Sequence, residues 1–216
     1  MYKTVIKRFL DLLIGMIALP FFGILLIVIA PIIHFTDKGP VFYNAERIGK
    51  DGKLFKMYKF RSMYVNAPDI RLSDGSTYNG ADDPRVTKIG KFIRETSIDE
   101  VPQILNMLNG TMSLIGPRPD PPDWLERYPE DIKVFLTVRP GITGYCQAYW
   151  RNGIDSGEKM KADAYYATHV SFLFDIKIFI KTIMMVLGHN NTYRDLSNEQ
   201  EAVKAVQEVA KKGRKK

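Results

Sequence analysis

The longest feature in the pattern of apolar and polar positions lies near the N-terminus. From Leu12 to Phe35, 24 consecutive residues contain one ionisable side chain, His34. A straight helix of that length would measure about 36 Å, against roughly 30 Å for the hydrocarbon core of a bilayer. Two features argue against a simple span. Pro20 and Pro31 interrupt the run, with Gly15 and Gly23 nearby, and proline removes a backbone donor and bends a helix. Both flanks are also basic: Lys3, Lys7 and Arg8 precede the run, and Lys38, Arg47, Lys50, Lys53, Lys56, Lys59 and Arg61 follow it. A spanning helix would place one flank outside, against the tendency of cations to stay on the cytoplasmic side. The pattern therefore predicts a re-entrant helix over residues 1–36, in preference to a span. A cleaved signal peptide fits less well, because the run exceeds the usual apolar region and no A-x-A-like site follows it.

Beyond this helix the periodicity shortens. Val41 to Met63 reads as two strands joined at Gly49–Gly52. Tyr64 to Pro84 is polar and rich in turn residues, which predicts an exposed, mobile loop. Arg85 to Glu95 has helical spacing at Val86, Ile89, Phe92 and Ile93. A helix from about Asp99 to Asn109 should stop at Gly110. Two stiff stretches, Gly116–Pro122 and Arg139–Gly144, bracket a helix expected over Trp124–Thr137. Glu158 to Ala167 reads as a further helix. Ser171 to Leu187 is strongly apolar and fits either a helix in the membrane interface or a buried core helix. The fold class expected is α+β and mainly helical, with a small β-hairpin. Residues 37–190 would form the cytoplasmic domain at the membrane surface and 191–216 a basic tail.

Composition narrows the partners. The formal net charge is +7, which favours an anionic partner: nucleic acid, a membrane surface or a phosphorylated substrate. Part of the excess belongs to Lys204–Lys216, with six basic residues against Glu208, a stretch that reads as a frayed, solvated terminus. The single cysteine, Cys146, precludes an intrachain disulfide and suits a reducing compartment. The histidines 34, 169 and 189 are scattered, so no zinc-ligand spacing exists.

The candidate chemistry centres on Ser97-Ile98-Asp99-Glu100. As ordinary structure this is a capping box, with Ser97 as N-cap and Glu100 three residues on. Pro102 fits that register poorly, and a start near Asp99 places it in the first turn, where it is tolerated. Either way two carboxylates stand at the positive end of a helix, which favours their ionised forms. An ionised Asp99 can attack phosphorus, and the pair can bind Mg²⁺. Arg94, Arg118, Arg139 and Arg151-Asn152 each lie in or beside a constrained turn, as guanidinium groups aimed at phosphate oxygens would. With Lys59 and Arg61 on the expected strand, they predict a diphosphate site. No P-loop or Gly-x-Gly-x-x-Gly fingerprint is present.

These residues resemble a known family. Lys56-Met57-Tyr58-Lys59-Phe60-Arg61-Ser62-Met63, Arg94-Glu95-Thr96-Ser97-Ile98-Asp99-Glu100-Val101-Pro102-Gln103, Met112-Ser113-Leu114-Ile115-Gly116-Pro117-Arg118-Pro119 and Arg139-Pro140-Gly141-Ile142-Thr143-Gly144 are similar to the motifs of the bacterial sugar transferases. These are the monotopic phosphoglycosyl transferases, which include undecaprenyl-phosphate galactose and glucose phosphotransferases. The resemblance runs from about Lys7 to Leu187 and is specific for the family, though not for the sugar. It implies a re-entrant helix, interfacial helices, and a catalytic face on the cytoplasmic side of the bacterial inner membrane. It also implies Mg²⁺-dependent ping-pong transfer of a sugar phosphate from a UDP-sugar to undecaprenyl phosphate, initiating a surface glycan. Asp99 resembles the nucleophile and Glu100 its helper in metal binding or acceptor activation. Lys59, Arg94, Arg118 and Arg151 fall on the family's polar site positions. Arg61, Arg139, Gln147, Asn152 and Asp163 complete the set expected to bind phosphate or nucleotide. One departure concerns the membrane helix: many members break it at a Ser-Pro pair, where this chain has Leu19-Pro20 and Ala30-Pro31. The larger members carry additional spanning helices, so the chain resembles a minimal catalytic unit.

A non-enzymatic membrane adaptor that binds anionic lipids is the competing reading. It leaves the arginines in constrained turns without a task. A metal-dependent lipid phosphatase would use the same dyad but release inorganic phosphate. Nucleic-acid binding is the least compatible, since the basic residues are interleaved with membrane-compatible helices. A homo-oligomer is left open.

Overall fold

A computed structural model describes residues 1–188, 193, 196 and 198–213. A π-helical turn, Tyr2–Ile6, leads into α1, Lys7–Asp37. Both prolines lie inside α1, which continues through them. Its buried positions are Asp11, Gly15, Phe22, Ile29 and Ile33, a stripe whose spacing of four and seven keeps it on one face. The remaining surface is apolar and open, with Phe21, Ile24, Ile27 and Phe35 all more than 60% exposed. By length and composition, the 36-residue helical stretch Tyr2–Asp37 is sufficient to cross a membrane.

Both ends of α1 are fastened to the same folded body. At the start, Lys7 Nζ pairs with Asp175 Oδ2 at 2.6 Å. Arg8 donates to the carbonyls of Met107 and Leu108, satisfying acceptors that a helix end leaves open. Asp11 Oδ1 accepts from Leu114 N at 2.9 Å and Ser113 Oγ at 3.1 Å. At the far end, Arg61 grips Asp37 through both terminal nitrogens, at 2.8 and 2.5 Å. Lys38, in the left-handed region at φ 56°, ends the helix.

The hairpin follows as expected. β1, Phe42–Ile48, pairs antiparallel with β2, Leu54–Phe60, and Phe42 stacks on its partner Phe60 at 5.6 Å. The loop after it departs from expectation. Ile70, Leu72 and Tyr78 are buried and pack against Ala202 and Val206 of the last helix, and Asp83–Arg85 is a buried ion pair at 2.7 Å. Three apolar side chains among many polar ones suffice to seat the loop once a helix covers them. That helix, Gln200–Gly213, replaces the frayed terminus expected there; residues 191, 192, 194, 195, 197 and 214–216 of the expected tail lie outside those described.

α2, Lys88–Glu95, is capped by Thr87, whose side chain accepts from Gly90 N. α3 spans Gln103–Asn109 and ends at Gly110, φ 88°. A short parallel pair, β3 Ser113–Ile115 and β4 Gly141–Thr143, was not anticipated from the two stiff stretches that hold it. The helix expected over Trp124–Thr137 is instead two 3₁₀ turns, Pro122–Trp124 and Lys133–Thr137. Pro129 falls between them, and its missing donor prevents one continuous helix. α4 Tyr145–Tyr149, α5 Ser156–Thr168 and α6 Phe172–Leu187 complete the body. Trp124, Tyr128, Phe135, Tyr166 and Ile178 form its core. α6 buries only Asp175 and Ile178 and leaves Leu173, Ile180, Met184 and Leu187 more than half exposed. It is therefore a surface helix with an apolar outer face.

Candidate active site

The dyad sits on a turn between α2 and α3. Ser97 adopts the left-handed conformation, φ 58°, and makes no capping bond, so the capping-box reading is overturned. A 3₁₀ turn, Ile98–Glu100, follows, and α3 waits until Gln103 because Pro102 cannot donate to a preceding carbonyl. The carboxylates thus precede a short helix by several residues, and side-chain cations replace the expected helix dipole as their main electrostatic partners.

Lys59 is carried there by strand β2. Asn106, buried on α3, accepts from Tyr58 N at 2.9 Å and donates to Lys56 O at 2.8 Å. It binds the strand as a neighbouring strand would, and Lys59 Nζ lies 2.6 Å from Glu100 Oε1. Arg118, between two prolines, reaches the same oxygen at 2.9 Å. Arg94 is oriented by Ser62, Nε to Oγ at 2.8 Å. Arg151, itself left-handed at φ 53°, donates to Ser97 Oγ at 3.1 Å.

The two carboxylates are treated differently. Burial opposes ionisation of Glu100, but the charges and hydrogen bonds of Arg118 and Lys59 outweigh it and hold its carboxyl well below the usual range. Asp99 is 9% exposed, and its carboxylate is in no hydrogen bond or ion pair among the described residues. Burial pushes its pKa up; Lys59, Arg94 and Arg118 oppose the rise, and Glu100 adds to it. Lys59, Arg94, Arg118 and Arg151 stand around Asp99 and Glu100, a set of cations suited to phosphate oxygens.

Of the five other expected site residues, three are engaged within the protein. Arg61 is spent on Asp37. Arg139 Nε donates to Gly110 O at 2.9 Å, bracing the end of α3. Asp163 is fully buried and paired with Lys159 at 3.1 Å, so it has no surface to offer a substrate. Gln147 lies on α4 with both amide atoms buried and without a partner. Asn152 is half-buried in the turn beside Arg151. Sequence reasoning overlooked Asn106, Ser62, Asp120 and Lys159. Asn106 alone left a signal, a polar residue on the apolar face of its helix.

Mg²⁺ favours one or two carboxylates together with substrate phosphates. Asp99 and Glu100 fit that demand, since Lys59 and Arg118 both bind Oε1 of Glu100. No group of three or more Asp, Glu, His or Cys able to hold an ion exists among the described residues. The donor set therefore suits a cation that arrives with a diphosphate.

Comparison with known proteins identifies the family. Residues 2–189 match the model of the bacterial sugar transferase family, and the chain belongs to that family. It is 44% identical to the galactosyl transferase CpsE of Streptococcus agalactiae over 84% of its length and 42% of that protein. It is 40% identical to the undecaprenyl-phosphate galactose phosphotransferase of Salmonella typhimurium, over 73% of this chain and 35% of that one. With the exopolysaccharide production protein ExoY of Sinorhizobium fredii it shares 37% identity over 87% and 88% of the two chains. The chain spans less than half the length of several relatives it matches.

Proposed function

We propose that this chain transfers a sugar 1-phosphate from a UDP-sugar to undecaprenyl phosphate, releasing UMP and initiating surface-glycan synthesis. The observation that carries the reading is the unequal dyad: Glu100 is held by Lys59 and Arg118, whereas Asp99 is buried among cations with its oxygens uncommitted. Such a carboxylate is poorly solvated and available to attack. An Asp99 oxygen forms a bond to the sugar-proximal phosphorus, and the bond from that phosphorus to the UMP oxygen breaks. The phosphosugar remains on Asp99 as an acyl phosphate. An oxygen of the polyprenyl phosphate then attacks the same phosphorus and restores the carboxylate. Lys59, Arg94, Arg118 and Arg151 offset the charge on the phosphate oxygens in both steps. Asp99 and Glu100 would hold Mg²⁺, which when bound polarises the diphosphate.

Membrane attachment follows from the open apolar faces of α1 and α6. The Lys7–Asp175 and Asp37–Arg61 pairs tie both ends of α1 to one body, which suits a helix that enters and leaves on the same, cytoplasmic side of the inner membrane. Lipid acceptor and enzyme then share one surface, lowering the cost of bringing them together. The relatives' names place galactose, glucose and N-acetylgalactosamine phosphotransferases among similar chains. The test is UMP release by the protein in nanodiscs containing undecaprenyl phosphate, with UDP-galactose, UDP-glucose and N-acetylated UDP-hexosamines, with and without Mg²⁺. Release with one donor, abolished by EDTA, is expected. No release with any donor would overturn the transferase reading in favour of a lipid-binding adaptor.

A further inference from the structure

Arg118 lies in a stretch whose neighbours Pro117 and Pro119 have no N–H to donate. Backbone bonds hold either side of it: Gly141 N to Pro117 O at 2.9 Å and Ile48 N to Asp120 O at 2.9 Å. Between them, the carbonyl of Arg118 itself accepts from a side chain, Lys159 Nζ on α5, at 3.2 Å. The same ammonium reaches Asp120 Oδ2 at 2.7 Å and Asp163 Oδ2 at 3.1 Å. Tyr128 Oη donates to Asp120 Oδ2 at 3.0 Å. All three charged side chains are largely enclosed, at 17, 16 and 1% exposure for Lys159, Asp120 and Asp163.

Two buried carboxylates sharing one ammonium add little to stability. Burial of such a group is costly, and an apolar replacement is often as stable or more so. The strain is visible in Asp163, which burial pushes up to about 6 despite Lys159. Lys159 does secure geometry, however, through its bond to the Arg118 carbonyl. It fixes the backbone of the arginine whose guanidinium sits 2.9 Å from Glu100 Oε1.

We propose that Lys159 is a positioning residue for the transfer reaction, holding Arg118 O so that the guanidinium stays on Glu100 and faces the donor diphosphate. The assignment rests on the transferase reading and extends it to a residue behind the site. A misplacement of about an ångström at a reacting centre can cost on the order of 100-fold in rate.

The test uses the full chain in nanodiscs and reads three quantities: UMP release, UDP affinity and thermal unfolding. Lys159→Met/Asp163→Asn removes one positive and one negative charge together, leaving the local balance unchanged. Its kcat is expected to fall about 10- to 100-fold and its UDP affinity several-fold, with Tm close to wild type. Lys159→Arg, which keeps charge and donors, is expected to recover most of the rate. Asp163→Asn alone keeps Lys159 on Arg118 O and should retain wild-type kcat and UDP affinity. Where the double variant fails to fold, Lys159→Gln/Asp163→Asn takes its place, with a fall in kcat and UDP affinity expected and wild-type values overturning the assignment. Wild-type kcat and UDP affinity in the double variant would overturn the assignment. So would a loss in Asp163→Asn as large as the double variant's. A wild type that binds UDP but releases no UMP would sink the transferase reading, and UDP affinity would then decide the role of Lys159. A wild type that neither binds UDP nor releases UMP would overturn both.

Discussion

Asp163 makes a quantitative prediction about stability. Burial is the largest influence on it; Lys159 opposes the rise and Asp120 adds to it, leaving the carboxyl at about 6 against an ordinary 3.8. The folded chain therefore keeps this proton to higher pH than the unfolded chain does. Between the two values the unfolded state binds fewer protons, so stability falls as pH rises through that window. The difference is worth about 3 kcal/mol once both forms are ionised. Asp163 is fully buried, so solvent screening does not diminish it. Asp163→Asn removes the titration. Thermal unfolding of both proteins in the same detergent, from pH 4 to pH 8, should show the variant gaining on wild type as pH rises and levelling off above about pH 7. For a chain of this size the gain corresponds to roughly 6–12 °C in Tm. A difference that does not change with pH would refute the reasoning. One that grows in favour of wild type would show that Lys159 holds Asp163 ionised below the ordinary range.

Other predictions concern the anchor, the tail and the site. Asp37→Ala strands Arg61, which is 8% exposed, and should destabilise the chain by about 3–5 kcal/mol in detergent unfolding; a loss under 1 kcal/mol would contradict a buried clamp. Val206→Glu places a charge where Val206 is 4% exposed against Ile70, Leu72 and Tyr78. Limited proteolysis should then cut between residues 64 and 84, where wild type resists. Lys59→Met should lower kcat for UMP release by about 10²–10³-fold, as loss of one preorganised group at a developing charge does, whereas Lys59→Arg should lose less.

Much of this was legible in the sequence because local chemistry decided it. The apolar run of α1, the Gly49–Gly52 turn, and the stop at Gly110 follow from hydropathy and from glycine's freedom in the left-handed region. The dyad and its cations were legible as motifs. The departures share a cause, which is tertiary contact. Ser97 gives up capping for a left-handed turn that the sequence does not encode alone. Arg61 and Arg139 look like phosphate ligands until Asp37 and Gly110 O are found beside them. The 64–84 loop looks mobile until the last helix, Gln200–Gly213, more than a hundred residues later in the chain, covers it. Lys159 and Asp120 carry no motif, and only the fold brings them behind Arg118.

The central claim is that Asp99, and not Glu100 or water, attacks the donor. It is tested most directly by incubating the enzyme with a UDP-sugar labelled in its sugar-proximal phosphate, without lipid acceptor, and mapping the label on the protein. Label on the peptide carrying Asp99, chased off by undecaprenyl phosphate and lost in Asp99→Asn, is the expected result. UMP released with no label retained on the chain would contradict it.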